Sequence, residues 1–234
     1  MFKEYEVKVP VHDINKISKR INGSASLLKT VVQLDIYYDY KKTLFLKDEH
    51  FRLRVEYDQD SREVKHVELA WKGPRRGKYI EVREDISVQI LPSDLENLKR
   101  ILKKLEFKPF AIIKKTRERY RIDGIELEFD KNVELVKAKG ETAPLGSFLQ
   151  ASLETSLNQD PENVKKQLWE YLSKLGFKHS DWVEKSYIEL ALERLKNKNG
   201  GEYGNTSPSR ISEEIRESYA KEDPKNQKKR KPHH

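Results

Sequence analysis

Glu4, Glu6 and Lys8 fall at every second position of the opening segment M-F-K-E-Y-E-V-K. In a β-strand, side chains two apart point to one face. Two carboxylates and an ammonium would then share a surface, with Tyr5, Val7 and Val9 on the other. Paired carboxylates suit a hard divalent cation, and an adjacent lysine suits a phosphate. The competing reading is a solvated edge strand of mixed charge, which a single strand favours on its own. The choice turns on whether other segments repeat the pattern.

They do. Gln33, Asp35, Tyr37 and Asp39 alternate with Val32, Leu34, Ile36 and Tyr38. Arg52, Arg54 and Glu56 alternate with Leu53 and Val55, and Glu68 and Lys72 stand against Leu69 and Trp71. Over 79–88, Glu81, Arg83 and Asp85 oppose Ile80, Val82 and Ile86. The segment 112–122 offers Lys115, Arg117, Arg119 and Arg121, the segment 125–130 offers Glu126, Glu128 and Asp130, and the segment 147–155 offers Gln150, Ser152 and Glu154. The polar faces sort by sign: Glu4, Glu6, Glu128, Asp130 and Glu154 form an acidic group, and Arg52, Arg54, Lys72, Arg83, Lys115 and Arg117 a basic one. A wet outer sheet face would mix signs to limit repulsion. A barrel with its charges inward would bring both groups into one lumen. Small barrels usually fill that space with apolar side chains. A lumen of about six cations and four or five carboxylates requires a polyanion and metal, or water and cross-pairing, to be stable. This points to a bound anion rich in phosphate.

Other elements must hold these strands. Asp13 is placed to cap a helix through about Arg20, and Ser93 with Glu96 reads as a capping box before Leu95, Leu98, Ile101, Leu102 and Leu105 at helical spacing. Asp123-Gly124 is a hairpin signal. Residues 131–146, with Pro144 and Gly146, read as irregular. Asp160-Pro161 opens a helix striped by Val164, Leu168, Leu172 and Leu175 and ended by Gly176. A further apolar helix covers 188–195. The segment 172–178 echoes 102–108, which hints at two related halves. From 197 the chain turns polar and ends in a basic run, Lys228–Lys231, with a short helix expected over 211–220. The expected organisation is one domain over 1–196 and a flexible tail over 197–234.

Charged residues make up 37% of the 234 residues against 36% hydrophobic, so much of the charge must serve something other than a thin outer shell. The net charge of +8 favours anionic partners. The absence of cysteine excludes disulfides and thiolate metal sites and permits a cytoplasmic location. No signal-peptide core or membrane span is legible. The six histidines show no spacing with a carboxylate or serine that would build a nucleophile.

In this order the motifs resemble those of the CYTH superfamily, also called triphosphate tunnel metalloenzymes. Glu4-Tyr5-Glu6-Val7-Lys8 matches its E-x-E-x-K signature. Gln33-x-Asp35-x-Tyr37 is similar to the second-strand motif, Arg52-x-Arg54 to R-x-R, and Lys72 to the lysine that follows. Arg83-x-Asp85 is similar to R-x-E, and Lys115-x-Arg117-x-x-Tyr120 to K-x-R-x-x-Y. Phe129-Asp130 with Val133 resembles L-D-x-V, and Leu145-Gly146-x-Phe148 resembles L-G-x-F. The family's later E-x-E is missing: this chain has Gln150, Ser152 and Glu154 there. Lys185-Ser186-Tyr187-Ile188-Glu189-Leu190 is similar to the closing segment of the branch with class IV adenylyl cyclases.

The resemblance implies an α+β fold, an eight-stranded antiparallel closed β-barrel with a polar interior and helices outside. It implies a metal-dependent triphosphatase acting on inorganic triphosphate, with Mg2+ or Mn2+ as cofactor. Glu4, Glu6, Glu128, Asp130 and Glu154 would hold the metal. Lys8, Arg52, Arg54, Lys72, Arg83, Lys115 and Arg117 would bind the triphosphate, with Glu4, Glu6 and Lys8 forming the catalytic set. The alternatives are a class IV adenylyl cyclase, a thiamine triphosphatase, or a non-catalytic binder of polyphosphate or nucleotide. Nucleic acid is disfavoured, because a phosphate-tracking groove gains nothing from the carboxylates. A monomer or homodimer without membrane association is expected.

Overall fold

The computed structural model describes residues 2–41, 43–76, 79–137, 141–156 and 160–198. The basic terminus and the helix expected over 211–220 lie outside the described residues. Among the described residues, nine strands run in chain order as β1 (Phe2–Pro10), β2 (Ser26–Asp39), β3 (His50–Asp58), β4 (Val64–Lys72), β5 (Glu81–Arg83), β6 (Asp85–Ile90), β7 (Lys108–Ile122), β8 (Ile125–Val136) and β9 (Thr142–Ser156). The helices are α1 (Ile14–Asn22), α2 (Leu95–Lys104), α3 (Pro161–Lys174) and α4 (Tyr187–Lys198). None of the described helices is long and apolar enough to cross a membrane.

All pairings are antiparallel, in the order β5-β1-β9-β8-β7-β2-β3-β4-β6. The two end strands are consecutive in sequence, separated only by Glu84. One short passage of chain therefore pairs with β1 through Glu81–Arg83 and with β4 through Asp85–Ile90, and bends the sheet into a nearly closed barrel. The sequence shows this passage as one strand, so its eight expected strands become nine. The break at Glu84 is where the chain exchanges partners, and the Glu84 carbonyl accepts from Gly73 N at 2.9 Å.

The alternation written in the strands sorts side chains between interior and exterior. Outward residues of β1, β8 and β9, including Val7, Val9, Leu127, Phe129 and Leu149, pack under α1 and α3. A second core joins Ile36, Leu53, Val67 and Ile113 to Leu95 and Leu102 of α2 and Ile188 of α4. Each buried Leu or Ile is worth roughly 1.5–3 kcal/mol of apolar transfer. This external packing stabilises a barrel whose interior is polar.

The helix starts follow the expected chemistry in two cases. Asp13 accepts from Lys16 N at 2.9 Å, and Asp160 from Glu162 N at 3.2 Å with Pro161 in the first turn. At α2 the expected capping box does not form. Pro92–Asp94 is a separate 3-10 turn, and Asp94, which precedes the helix, makes no side-chain cap. The Asp123-Gly124 hairpin forms with φ of 48° and 79°, the left-handed pair a tight primed turn requires. Residues 131–136 and 142–146, expected to be irregular, are strand, in β8 and β9. Register shifts beyond Asp130, with Asn132 at φ 51°, re-phase the alternation of β8 and disguise it. The echo of 102–108 in 172–178 is a shared helix ending: Glu106 and Gly176 stand at φ 64° and 97°, and Phe107 N and Phe177 N donate to the carbonyls of Leu102 and Leu172 at 2.9 and 3.1 Å. Beyond it the two diverge, the first into β7 and the second into a 3-10 turn at His179–Asp181.

Candidate active site in the barrel interior

Inward positions of the strands converge on a cavity of about 180 Å³. Strand β1 contributes Glu6 and Lys8, β2 Asp35 and Tyr37, β3 Arg52 and Arg54, and β4 Glu68 and Lys72. Strand β7 adds Lys115 and Arg117, β8 Glu128, and β9 Gln150. Ser186 and Tyr187 add to the wall where α4 begins, and His50, Glu81 and Asp85 also line it. Six of the seven expected phosphate-binding cations therefore face one space. A second cavity of about 390 Å³ shares Glu68 and Glu128 with the first. Leu28, Lys29, His66, Arg119 and Arg121 are among its walls.

The cations are kept in place by carboxylates. Asp35 is buried and accepts from Arg54 Nε at 2.7 Å and from Lys115 Nζ at 2.8 Å. Burial alone would push its pKa up, but Arg54, Lys115 and Arg52 hold it well below the usual carboxylate range. Arg117 forms a fork with Asp130, at 2.5 Å from Nε and 2.6 Å from Nη2, and also pairs with Glu128. Glu128 is held low despite its burial by Arg117 and Arg119. Burial, then the neighbouring Arg117, brings Lys115 down to about 8. Arg52 pairs with Glu68 at 2.7 Å, and Lys72 with Asp85 at 3.1 Å. Cross-pairing of this kind meets the desolvation problem of so many buried charges. Arg119 is cross-paired too, with Glu56 at 2.6 Å and Glu128 at 3.0 Å, and Arg121 pairs with the exposed Glu126.

Two residues of the expected site hold other positions. Asp130 is fully buried, with both oxygens engaged by Arg117 and Oδ2 also accepting from the Tyr187 hydroxyl at 2.7 Å. Arg83 lies behind the cavity wall. Its guanidinium donates to Glu81 at 2.7 Å and to the carbonyls of Gly73 and Asp48 at 2.6 and 2.8 Å. Asp48 also accepts from Arg75, which reaches Glu189 of α4 at 2.6 Å.

The acidic end is set by register. Glu4 is opposite Glu154 on β9 and Arg83 on β5, while Glu6 is opposite Ser152 and Glu81. The Glu4 and Glu154 side chains lie outside the described residues. Among the described residues, no three acidic or histidine side chains form a ready-made cation nest. The donor chemistry does fit a hard divalent cation. Glu4 and Glu154 occupy directly opposed positions, where like charges destabilise a strand pair unless a cation intervenes. Glu6, Glu81 and Glu128 line the cavity and offer carboxylate oxygens, the ligand type such a cation takes.

A family model of the CYTH domain matches residues 3–187. The chain belongs to the CYTH family. A Methanocaldococcus jannaschii protein named "putative adenylate cyclase" is 31% identical over 193 residues, covering 80% of this chain and 97% of its own. A solved Pyrococcus horikoshii protein superposes with a TM-score of 0.68 at 25% identity, over 82% of this chain and 99% of its own. A Hippeastrum protein, described as a "putative adenylyl cyclase" with a dominant triphosphatase activity, has the same fold. Its TM-score is 0.58 at 18% identity, over 82% of this chain and 96% of its own.

Within this CYTH barrel, several wall residues carried no site role in the sequence. Glu68 and Glu81 share parity with the expected cations Lys72 and Arg83, so strand alternation was a usable signal for both. Tyr187 was not accessible this way, because it reaches the interior from a helix. Its ring lies 5.0 Å from Lys8 Nζ and 4.9 Å from Lys115 Nζ. His50 is buried beside Tyr37, and burial followed by Arg83 lowers its pKa to about 4.

Proposed function

We propose that this CYTH protein hydrolyses a triphosphate with a divalent cation, and that inorganic triphosphate, cleaved to pyrophosphate and phosphate, is its principal substrate. The observation that carries this reading is the convergence of Lys8, Arg52, Arg54, Lys72, Lys115 and Arg117 on one cavity of about 180 Å³. Arginine forks bind phosphate oxygens bidentately, and the lysines act as point charges. A fixed array of this kind favours the charge that spreads over the equatorial oxygens as a phosphoryl group transfers. The chain need supply no covalent nucleophile.

Glu4, Glu6 and Glu154, with Glu128 at the border of the two cavities, would hold Mg2+ or Mn2+. A cation there would offset phosphate charge and make a bound water more acidic. Asp130 would serve this site by holding Arg117, and Arg83 by fixing Glu81. The Hippeastrum protein's triphosphatase activity supports the same reaction class.

Adenylyl cyclase chemistry is the second reading. It is favoured by the 390 Å³ cavity beyond Glu68 and Glu128, which offers room for a nucleoside, and by the name of the Methanocaldococcus relative. The test is a product screen with triphosphate, ATP, thiamine triphosphate and pyrophosphate, each with and without Mg2+ or Mn2+. Metal-dependent phosphate release from triphosphate supports the first reading. Cyclic AMP from ATP, with triphosphate left intact, replaces it with the second.

A further inference from the structure

Gln150 joins the acidic and basic parts of the cavity through one uncharged group. It is buried on β9, opposite Lys8 on β1 and Glu128 on β8. Its Nε2 donates to Glu6 Oε1 at 2.5 Å, and its Oε1 accepts from Arg117 Nη2 at 2.6 Å. Only one orientation of the amide meets both contacts. The reversed amide would set a carbonyl oxygen against the carboxylate and N–H groups against the guanidinium. Arg117 is itself fixed by its fork with Asp130, which α4 reaches through Tyr187. The Glu6 carboxylate is thereby tied to the rigid ion-pair lattice of β7 and β8, although β1 and β7 are not neighbours in the sheet.

We propose that Gln150 is a positioning residue for Glu6: its amide fixes the carboxylate for a divalent cation and registers it against Arg117. The inference rests on the cation reading of Glu6 given above. Hydrogen-bonded partners of this kind orient metal-ligating carboxylates, and their loss typically costs 10–100-fold in metal affinity.

The test measures Mn2+ binding by electron paramagnetic resonance on the full chain without substrate. It compares the native protein with Gln150→Met, Gln150→Glu and Glu6→Gln, with folding checked by circular dichroism. Methionine keeps the length and removes both hydrogen bonds, so Gln150→Met should weaken Mn2+ binding about tenfold or more. Gln150→Glu still accepts from Arg117 but loses the donor to Glu6, so it should weaken Mn2+ binding as Gln150→Met does. A purely structural role, as the acceptor that holds Arg117, would instead leave Gln150→Glu native-like and weaken only Gln150→Met. Native-like binding by Gln150→Met together with loss in Glu6→Gln overturns the inference and leaves the cation reading standing. Native-like binding by Glu6→Gln overturns both. If Gln150→Met does not fold, the Gln150→Glu comparison decides: binding as tight as native overturns the inference.

Discussion

The hydroxyl of Tyr187 donates to Asp130 Oδ2 at 2.7 Å, and its ring lies within 5.0 Å of both Lys8 and Lys115 Nζ. One side chain of α4 therefore touches an acid that anchors Arg117 and two of the cations that face the cavity. Tyr187→Phe keeps the ring and removes the donor. Hydrogen bonds to charged groups contribute about 1.5–3 kcal/mol. We expect a loss of that order in chemical denaturation and a further loss in Tyr187→Leu, which also removes the ring. Equal stabilities for the phenylalanine variant and the native protein would exclude the bond as a stabilising contact.

Asp35 is the common partner of Arg54 and Lys115. Breaking a buried pair by removing one member costs about 3–5 kcal/mol, because the remaining charge stays buried. Asp35→Asn should therefore be destabilised by that order in urea melts. Added triphosphate should recover part of the loss, since phosphate oxygens can take the place of the missing carboxylate. Equal stabilisation of native and variant proteins by triphosphate would count against a phosphate position at these cations.

His50 gives a pH dependence with a definite sign. Its folded pKa is about 4 against 6.5 in the unfolded chain, because burial and then Arg83 disfavour the charged form. The unfolded state binds the proton first, so the stability tied to neutral His50 is present above about pH 6.5 and lost as pH falls through 4. The shift corresponds to about 3 kcal/mol. Stability measured between pH 7 and 4 should fall less steeply in His50→Gln than in the native protein, and parallel profiles would contradict the assignment.

The cations should separate by position. Arg54→Ala removes a donor that faces the 180 Å³ cavity and should lower phosphate release from triphosphate by about 100-fold or more, the scale of losing a transition-state hydrogen-bond donor. Arg121→Ala removes an exposed cation paired with Glu126 and should leave the rate within about threefold, as expected of a surface pair. A steady-state assay at saturating Mg2+ measures both. Comparable losses would move the substrate toward the second cavity.

Strand parity made most of the interior legible in advance. Glu6, Lys8, Arg52, Arg54, Lys72 and Glu128 face the cavity because polar and apolar residues alternate along their strands. In β7, where Lys114–Arg119 is polar throughout, Lys115 and Arg117 were legible through their K-x-R spacing instead. Where the phase breaks, parity fails: the bulges after Asp130 disguised the continuation of β8, and the change of partner at Glu84 divided one apparent strand in two. Parity also says nothing about pairing inside the lumen. Arg83 and Asp130 carry the right charge and face, yet their donors and acceptors are engaged by Glu81, Gly73 and Asp48 in the first case and by Arg117 and Tyr187 in the second. Tertiary contacts of that kind leave no local signal.

The seam between β1 and β5 spans only Glu4–Glu6 against Glu81–Arg83, whereas β2 and β7 are joined along Ser26–Asp39. A hoop opens at its shortest join. Thermal opening of this barrel should begin there, beside Glu6, so the same few residues would act as both clasp and gate. Amide exchange at Val82 should then outpace exchange at Leu53 and Ile113 in the long central strands. A divalent ion gripping Glu6 from inside would slow that opening and harden the whole ring from its weakest point.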